Sequence, residues 1–159
     1  MEEERTETLR EVDLKKARFS KAPWFDRALA SSAVVGGAGN IGSWVSFFLA
    51  RQGVTLFVYD FDLVDESNLA AQLYKQSDIS NLKTEALERT ILDYVDPDVV
   101  LNGKFNQMEK FEKNSMVDNY CFSCFDNMEA RKNLFEAWVA HYGNSEDAIF
   151  IDGRILFAK

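Results

Sequence analysis

Two cysteines and one histidine are all that this 159-residue chain has of each. So few thiols exclude a disulfide-built scaffold, and Cys121 and Cys124, a single C-x-x-C, cannot complete a four-ligand zinc site. Both fall in a predicted buried strand, where packing is the expected role. His141 falls late in a predicted helix and reads as a surface or helix-end group, not a catalyst. Positive charge is also short: 18 Lys and Arg against 26 Asp and Glu leave a net charge of -8. That excludes a nucleic-acid surface, which needs clustered cations, but allows nucleotide binding through backbone N–H groups and a few cations. No apolar run approaches the ~20 residues of a membrane span; the longest, around residues 45–50, is interrupted by Ser46. The opening MEEERTETLR is acidic and polar, unlike a signal peptide. With the scarce cysteine it points to a reducing, cytoplasmic setting. There is no repeat and no low-complexity tract.

What is present is a core. Nearly half the chain (47%) is hydrophobic and 13 residues are Phe, enough for one buried domain spanning residues 1–159. Residues 1–22 form a charged arm with few apolar points. A short helix is expected over residues 24–30. Residues 33–35 are a short, wholly apolar strand, as for a strand covered on both faces. A glycine turn follows, then a helix over 41–52 with Ile41, Val45, Phe48 and Leu49 at helical spacing, ended by Gly53. Residues 55–60 make a second strand. Residues 61–81 are a long polar loop, a length usually kept for function. A helix over 82–95, capped by Ser80 or Asn81, precedes the helix-breaking Asp96-Pro97-Asp98. Further strands are expected at 99–102, 120–125 and 148–151, with a sixth beginning at 155–158. Helices are expected at 108–116 and 128–142, the latter burying Leu134, Phe135, Trp138, Val139 and Tyr142. Alternating strands and helices define an α/β, Rossmann-like fold: a mostly parallel sheet with helices on both faces. Ligands in such sheets bind beyond the carboxyl ends of the strands, where Asp60, Asp126 and Asp152 all fall.

Four of the eight glycines crowd into residues 36–42. Gly37, Gly39 and Gly42 set out G-x-G-x-x-G between a strand and a helix, the context in which that pattern binds phosphate at a helix N-terminus. Asp60, ending the next strand, can accept both ribose hydroxyls. To this point an NAD site and an ATP site look alike. A nicotinamide enzyme, however, has no need of the second acid Asp62, nor of Asn68 and Lys83, nor of Cys124-Phe125-Asp126-Asn127 after a later strand.

These segments, D-x-D-x-V-x-x-S-N-L from Asp60, Asp78-Ile79-Ser80-Asn81-Leu82-Lys83, and C-x-D-N from Cys124, together with Arg18-Phe19-Ser20-Lys21, resemble the ThiF/MoeB/HesA group. That group shares the adenylation domain of ubiquitin-activating enzymes. The resemblance runs from about Arg18 to the C-terminus. It implies ATP and magnesium as cofactors, and adenylation of the C-terminal carboxylate of a ubiquitin-like or sulfur-carrier protein by a homo- or heterodimer. Carried over by position, Gly37, Gly39, Asn40 and Gly42 would cradle the nucleotide and Asp60 would hold its ribose. Asp62, Asn68, Gln72 and Lys83 would complete the nucleotide site, Asn68 and Lys83 against the triphosphate. Asp126 would bind magnesium. Lys83, Asp126 and Lys21 would be the catalytic set.

The chain departs from the group's pattern in three places. Ala71 stands where a phosphate-contacting arginine is expected. Lys21 stands for an arginine and lacks the bidentate fork. The group's domain also normally continues past Arg154, so its C-terminal part is expected to be absent here. Two other readings stay open: a non-catalytic nucleotide-binding partner or scaffold subunit, which Ala71 and Lys21 favour, and an NAD-dependent oxidoreductase, which Asp60 permits.

Overall fold

The computed structural model describes residues 32–95 and 117–154. The expected arm over residues 1–22, the helices at 24–30 and 108–116, the strands at 99–102 and 155–158, and Lys21 lie outside the described residues. In chain order the elements are β1 (Ser32–Gly36), α1 (Gly42–Arg51), β2 (Thr55–Tyr59), α2 (Lys83–Leu92), β3 (Tyr120–Ser123), α3 (Met128–Tyr142) and β4 (Ile149–Asp152). The described strands form one sheet in the order β2-β1-β3-β4, every pair parallel. The chain leaves β1 toward β2 on one side and returns to β3 on the other. The order therefore reverses at β1, and in open α/β sheets the ligand crevice lies at the carboxyl end of the strand where the order reverses, here beyond Gly36.

Strand alternation explains the two-sided covering. Ala33, Val35, Leu56 and Val58 point to one face and pack with Ala50 of α1 and Ala86, Leu87 and Ile91 of α2. Val34, Tyr59 and Cys121 point to the other and pack with Leu134 and Ala137 of α3. Because both faces are covered, β1 reads as an unbroken apolar run.

Several local expectations need correction. Helix α2 starts at Lys83, and its N-cap is Leu82, without a side-chain cap, in place of Ser80 or Asn81. The reason is tertiary: Leu63 and Leu82 form an isolated antiparallel bridge, and the Lys83 N–H donates to the Asp62 carbonyl at 2.9 Å. Backbone from across the loop does what a cap would do. Ser80 instead sits at φ 70°, inside the turn. Residues 61–81 are not plain loop: they hold two 3₁₀ turns, Glu66–Ala70 and Gln76–Asp78. On α3, Phe135 and Val139 are exposed, not buried. The stripe that meets the sheet runs Leu134, Ala137, Trp138, so the next residue round lies outside it, although the Phe135 ring still meets Phe150 edge-on at 5.1 Å.

Candidate functional site

The site grows from the turn after β1. Gly37 has φ +93°, and an added Cβ would lie 2.9 Å from the Cys124 carbonyl group. A Cβ on Gly42 would lie 1.7 Å from the Gly37 carbonyl oxygen, so only glycine lets α1 begin this close to the strand. Gly39 differs: a Cβ there would meet nothing within 4 Å. Packing does not demand that glycine, and the space beyond it is open. Helix α1 begins there with Ile41 as N-cap and no side-chain cap bond. Its first turn therefore presents backbone N–H groups and the positive end of the helix dipole to that space.

Asp60 is buried beside the turn. One carboxylate oxygen accepts the Ala38 N–H at 2.7 Å and the other accepts the Asp62 N–H at 2.8 Å. Burial raises its pKa above the ordinary value, only partly countered by the Ala38 N–H and by Lys83. Asp62 carries the contact onward: its carboxylate accepts from Lys83 Nζ at 2.8 Å. Glycine turn, Asp60, Asp62 and Lys83 thus form one connected array, although they come from three separate segments.

The 61–81 loop walls this array. Its neck is closed by the Val64 N–H on the Asn81 carbonyl (2.9 Å) and the Ser80 N–H on the Val64 carbonyl (2.8 Å). Its body is fastened to the turn and to α1. Tyr74 Oη donates to the Ala38 carbonyl at 2.6 Å, the Leu73 N–H donates to Ser43 Oγ at 3.2 Å, and Trp44 Nε1 donates to the Ala71 carbonyl at 2.9 Å. Asn68 is buried. Its side-chain oxygen accepts the Asp65 N–H at 3.1 Å in a capping box, and its NH₂ makes only a long 3.4 Å bond to Ser67 Oγ. Gln72 Oε1 is buried with no hydrogen-bond partner among the described residues.

Across the crevice, Asp126 is exposed just ahead of α3, and Asn127 caps that helix, its Oδ1 accepting the Ala130 N–H at 2.8 Å. Arg131, one turn further, is nearly buried. It pairs with Asp152 at the end of β4 and donates to the Gly153 carbonyl at 2.9 Å. Arg154 takes the other Asp152 oxygen, Nε at 2.7 Å. Cys121 and Cys124 are free thiols, and burial pushes their pKa values up to about 12 and about 11, fitting the packing role. His141 sits in the last turn of α3 with Nδ1 2.8 Å from the Ala137 carbonyl.

The glycine turn, Asp60, Asp62 and Lys83 are in direct or relayed contact, and Asn68 and Gln72 stand in the wall beside them. Asp126 stands apart at the start of α3. Among the described residues no group of three His, Cys, Asp or Glu could hold a metal ion. A lone carboxylate such as Asp126 suits a magnesium ion that takes its remaining ligands from phosphate and water. Tyr74, Ser43, Trp44 and Arg131 lie outside the motifs that point to the site. A hydroxyl-bearing aromatic in a polar loop, and a cation one turn into the helix that follows an acid–amide pair, were the available signals.

An open parallel sheet with a strand-order reversal over a glycine turn defines a Rossmann-like α/β domain. The ThiF family profile matches residues 12–148, and the chain belongs to that family. It is 31% identical over 145 residues to ubiquitin-like modifier-activating enzyme 5 of Caenorhabditis elegans, covering 82% of this chain and 33% of that protein. The Arabidopsis thaliana enzyme of the same name is 27% identical over 151 residues, covering 79% and 35%. The chain thus spans about a third of the length of these relatives. Among solved structures, E. coli tRNA N6-threonylcarbamoyladenosine dehydratase, TcdA, in complex with ATP superposes with a TM-score of 0.67 at 17% identity, covering 86% of this chain and 56% of that one. E. coli MccB with MccA-N7isoASN gives 0.62 at 18%, covering 80% and 37%. At such identities these two bear on the fold alone. No helix among the described residues is long and apolar enough to cross a membrane.

Proposed function

We propose that the chain binds ATP with magnesium and adenylates the C-terminal carboxylate of a ubiquitin-like or sulfur-carrier protein. The observation that carries this is the connected array at the β1 switch point: a helix N-terminus without a side-chain cap and with open space at Gly39, a buried acid at the end of β2, and a lysine anchored by Asp62. The relatives' names support the same reading.

In this reading the turn's N–H groups and the α1 dipole receive phosphate, Asp60 keeps a lone pair for a ribose hydroxyl, and Asn68 turns its NH₂ toward the triphosphate. Lys83 lies against the phosphates and offsets charge as it builds. The incoming carboxylate oxygen forms a bond to the α-phosphorus, and the bond to the bridging oxygen breaks. Pyrophosphate leaves with the electron pair and an acyl-adenylate remains. No protein nucleophile is required, so positioning and charge neutralisation are the whole of the protein's task. Magnesium, held by Asp126, would neutralise the phosphate oxygens when bound.

ATP binding by calorimetry, followed by ATP–pyrophosphate exchange with candidate carrier proteins, tests this. Exchange that disappears in Asp126→Ala supports it. Tight NADH binding without ATP binding would overturn it. A second reading, a nucleotide-binding partner subunit without its own exchange activity, is favoured by Ala71, which carries no charge where an arginine is expected; its carbonyl accepts from Trp44 Nε1 and its N–H donates to the Asn68 carbonyl. ATP binding without exchange, by the full-length protein with its carrier, would select this second reading.

A further inference from the structure

We propose that Tyr74 is a positioning residue: its hydroxyl fixes the glycine turn in the conformation that receives phosphate and so makes the 61–81 loop part of the nucleotide site. The inference rests on the nucleotide reading above and adds to it a residue outside the motifs that suggested it.

The geometry is a two-sided grip on Ala38. Its N–H is taken by Asp60 at 2.7 Å and its carbonyl by Tyr74 Oη at 2.6 Å, from residues 22 and 36 positions away. Both peptide groups between Gly37 and Gly39 are thereby oriented, one from the end of β2 and one from the loop. The ring packs in the core against the α1–α2 face of the sheet, a task phenylalanine would do equally well. The hydroxyl is what tyrosine adds. Burying it is unfavourable unless it is bonded, and its bond goes to the turn. Burial, then the nearby Asp60 and Asp78, hold the phenol's pKa far above its ordinary value, so it remains a donor at every working pH. The loop that carries Tyr74 is itself fastened at Leu73 and Ala71, so the grip is anchored on both sides.

Tyr74→Phe in the full-length protein tests this with three readouts. Loss of one neutral hydrogen bond predicts about threefold to tenfold weaker binding of AMP and ATP, and less than about twofold for adenosine. KM for ATP in the exchange assay rises while kcat is little changed. In the ligand-free protein, the Ala38 and Ser43 amides, bonded to Asp60 and to the Gly39 carbonyl, exchange hydrogen faster by about tenfold, with a melting temperature lowered by only a few degrees. A purely structural tyrosine would instead lower the melting temperature and weaken adenosine as much as ATP. Equal losses for adenosine and ATP, or unchanged amide exchange, overturn the proposal. If the unsubstituted protein binds no nucleotide, the proposed function fails by itself. The amide exchange of the turn still decides whether Tyr74 fixes it.

Discussion

Asp62 holds Lys83 at both ends: its carbonyl accepts the lysine's N–H at 2.9 Å and its carboxylate accepts Nζ at 2.8 Å. The lysine side chain is 9% exposed while that of Asp62 is 51% exposed, so the buried partner depends on the exposed one.

That asymmetry separates two variants. Lys83→Met removes the buried charge and leaves Asp62 in water, so the melting temperature should move by only a few degrees, while pyrophosphate exchange falls about 10²–10³-fold. Asp62→Ala leaves a buried ammonium without its partner and should destabilise by about 1–3 kcal/mol in urea unfolding. A stable Asp62→Ala protein would show that the pair does not hold the lysine.

The two outer glycines of the turn and its middle one should behave differently. Gly42→Ala drives a methyl into the Gly37 carbonyl, and loss of cooperative unfolding is expected. Gly39→Ala meets no protein atom, so the circular-dichroism melt should be unchanged while ATP affinity drops about tenfold or more. Unchanged ATP binding in Gly39→Ala would place the phosphates elsewhere.

Asp60 and Asp152 should titrate stability in opposite directions. Burial raises the Asp60 pKa above 3.8, so the folded state favours its protonated form. Its contribution is complete below 3.8 and is lost as pH rises through the folded value. Burial also acts on Asp152, but Arg154 and Arg131 outweigh it and lower its pKa below 3.8. Its contribution is present above 3.8 and is lost as pH falls through the folded value. Urea titrations of Asp152→Asn should therefore show a deficit at neutral pH that shrinks as pH falls below 3.8. Asp60→Asn should show the reverse trend, on top of a constant loss of about 1–3 kcal/mol because an amide cannot accept from both the Ala38 and Asp62 N–H groups.

Periodicity made much of this legible. The glycine turn and the spans of α1 and α3 fall where spacing puts them, and Asp60 sits at a strand end as expected, because each depends on residues within one turn or strand; Phe48, set in the apolar stripe of α1, is instead exposed. What escaped was long-range. The cap of α2 comes from Asp62, 21 positions earlier, and the Leu63–Leu82 bridge makes Ser80 a turn residue; no local pattern encodes that. Phe135 and Val139 have the hydrophobicity of buried positions, but the sheet meets only the Leu134, Ala137 and Trp138 stripe of α3. Asn68 was legible as a motif residue, yet its capping of Asp65 shows that part of the motif builds the loop itself.

The strand order has a consequence for biosynthesis. β1 pairs with β3 through Val35 and Phe122, 87 positions apart, whereas its β2 partner follows within about two dozen residues. At about 5–20 residues per second on the ribosome, one flank of β1 waits roughly 4–17 s for its second neighbour. During that interval an apolar backbone edge is open to pairing with other chains. Aggregation yield of the nascent protein should therefore fall when elongation between residues 60 and 120 is accelerated, with no change in the sequence of the finished molecule.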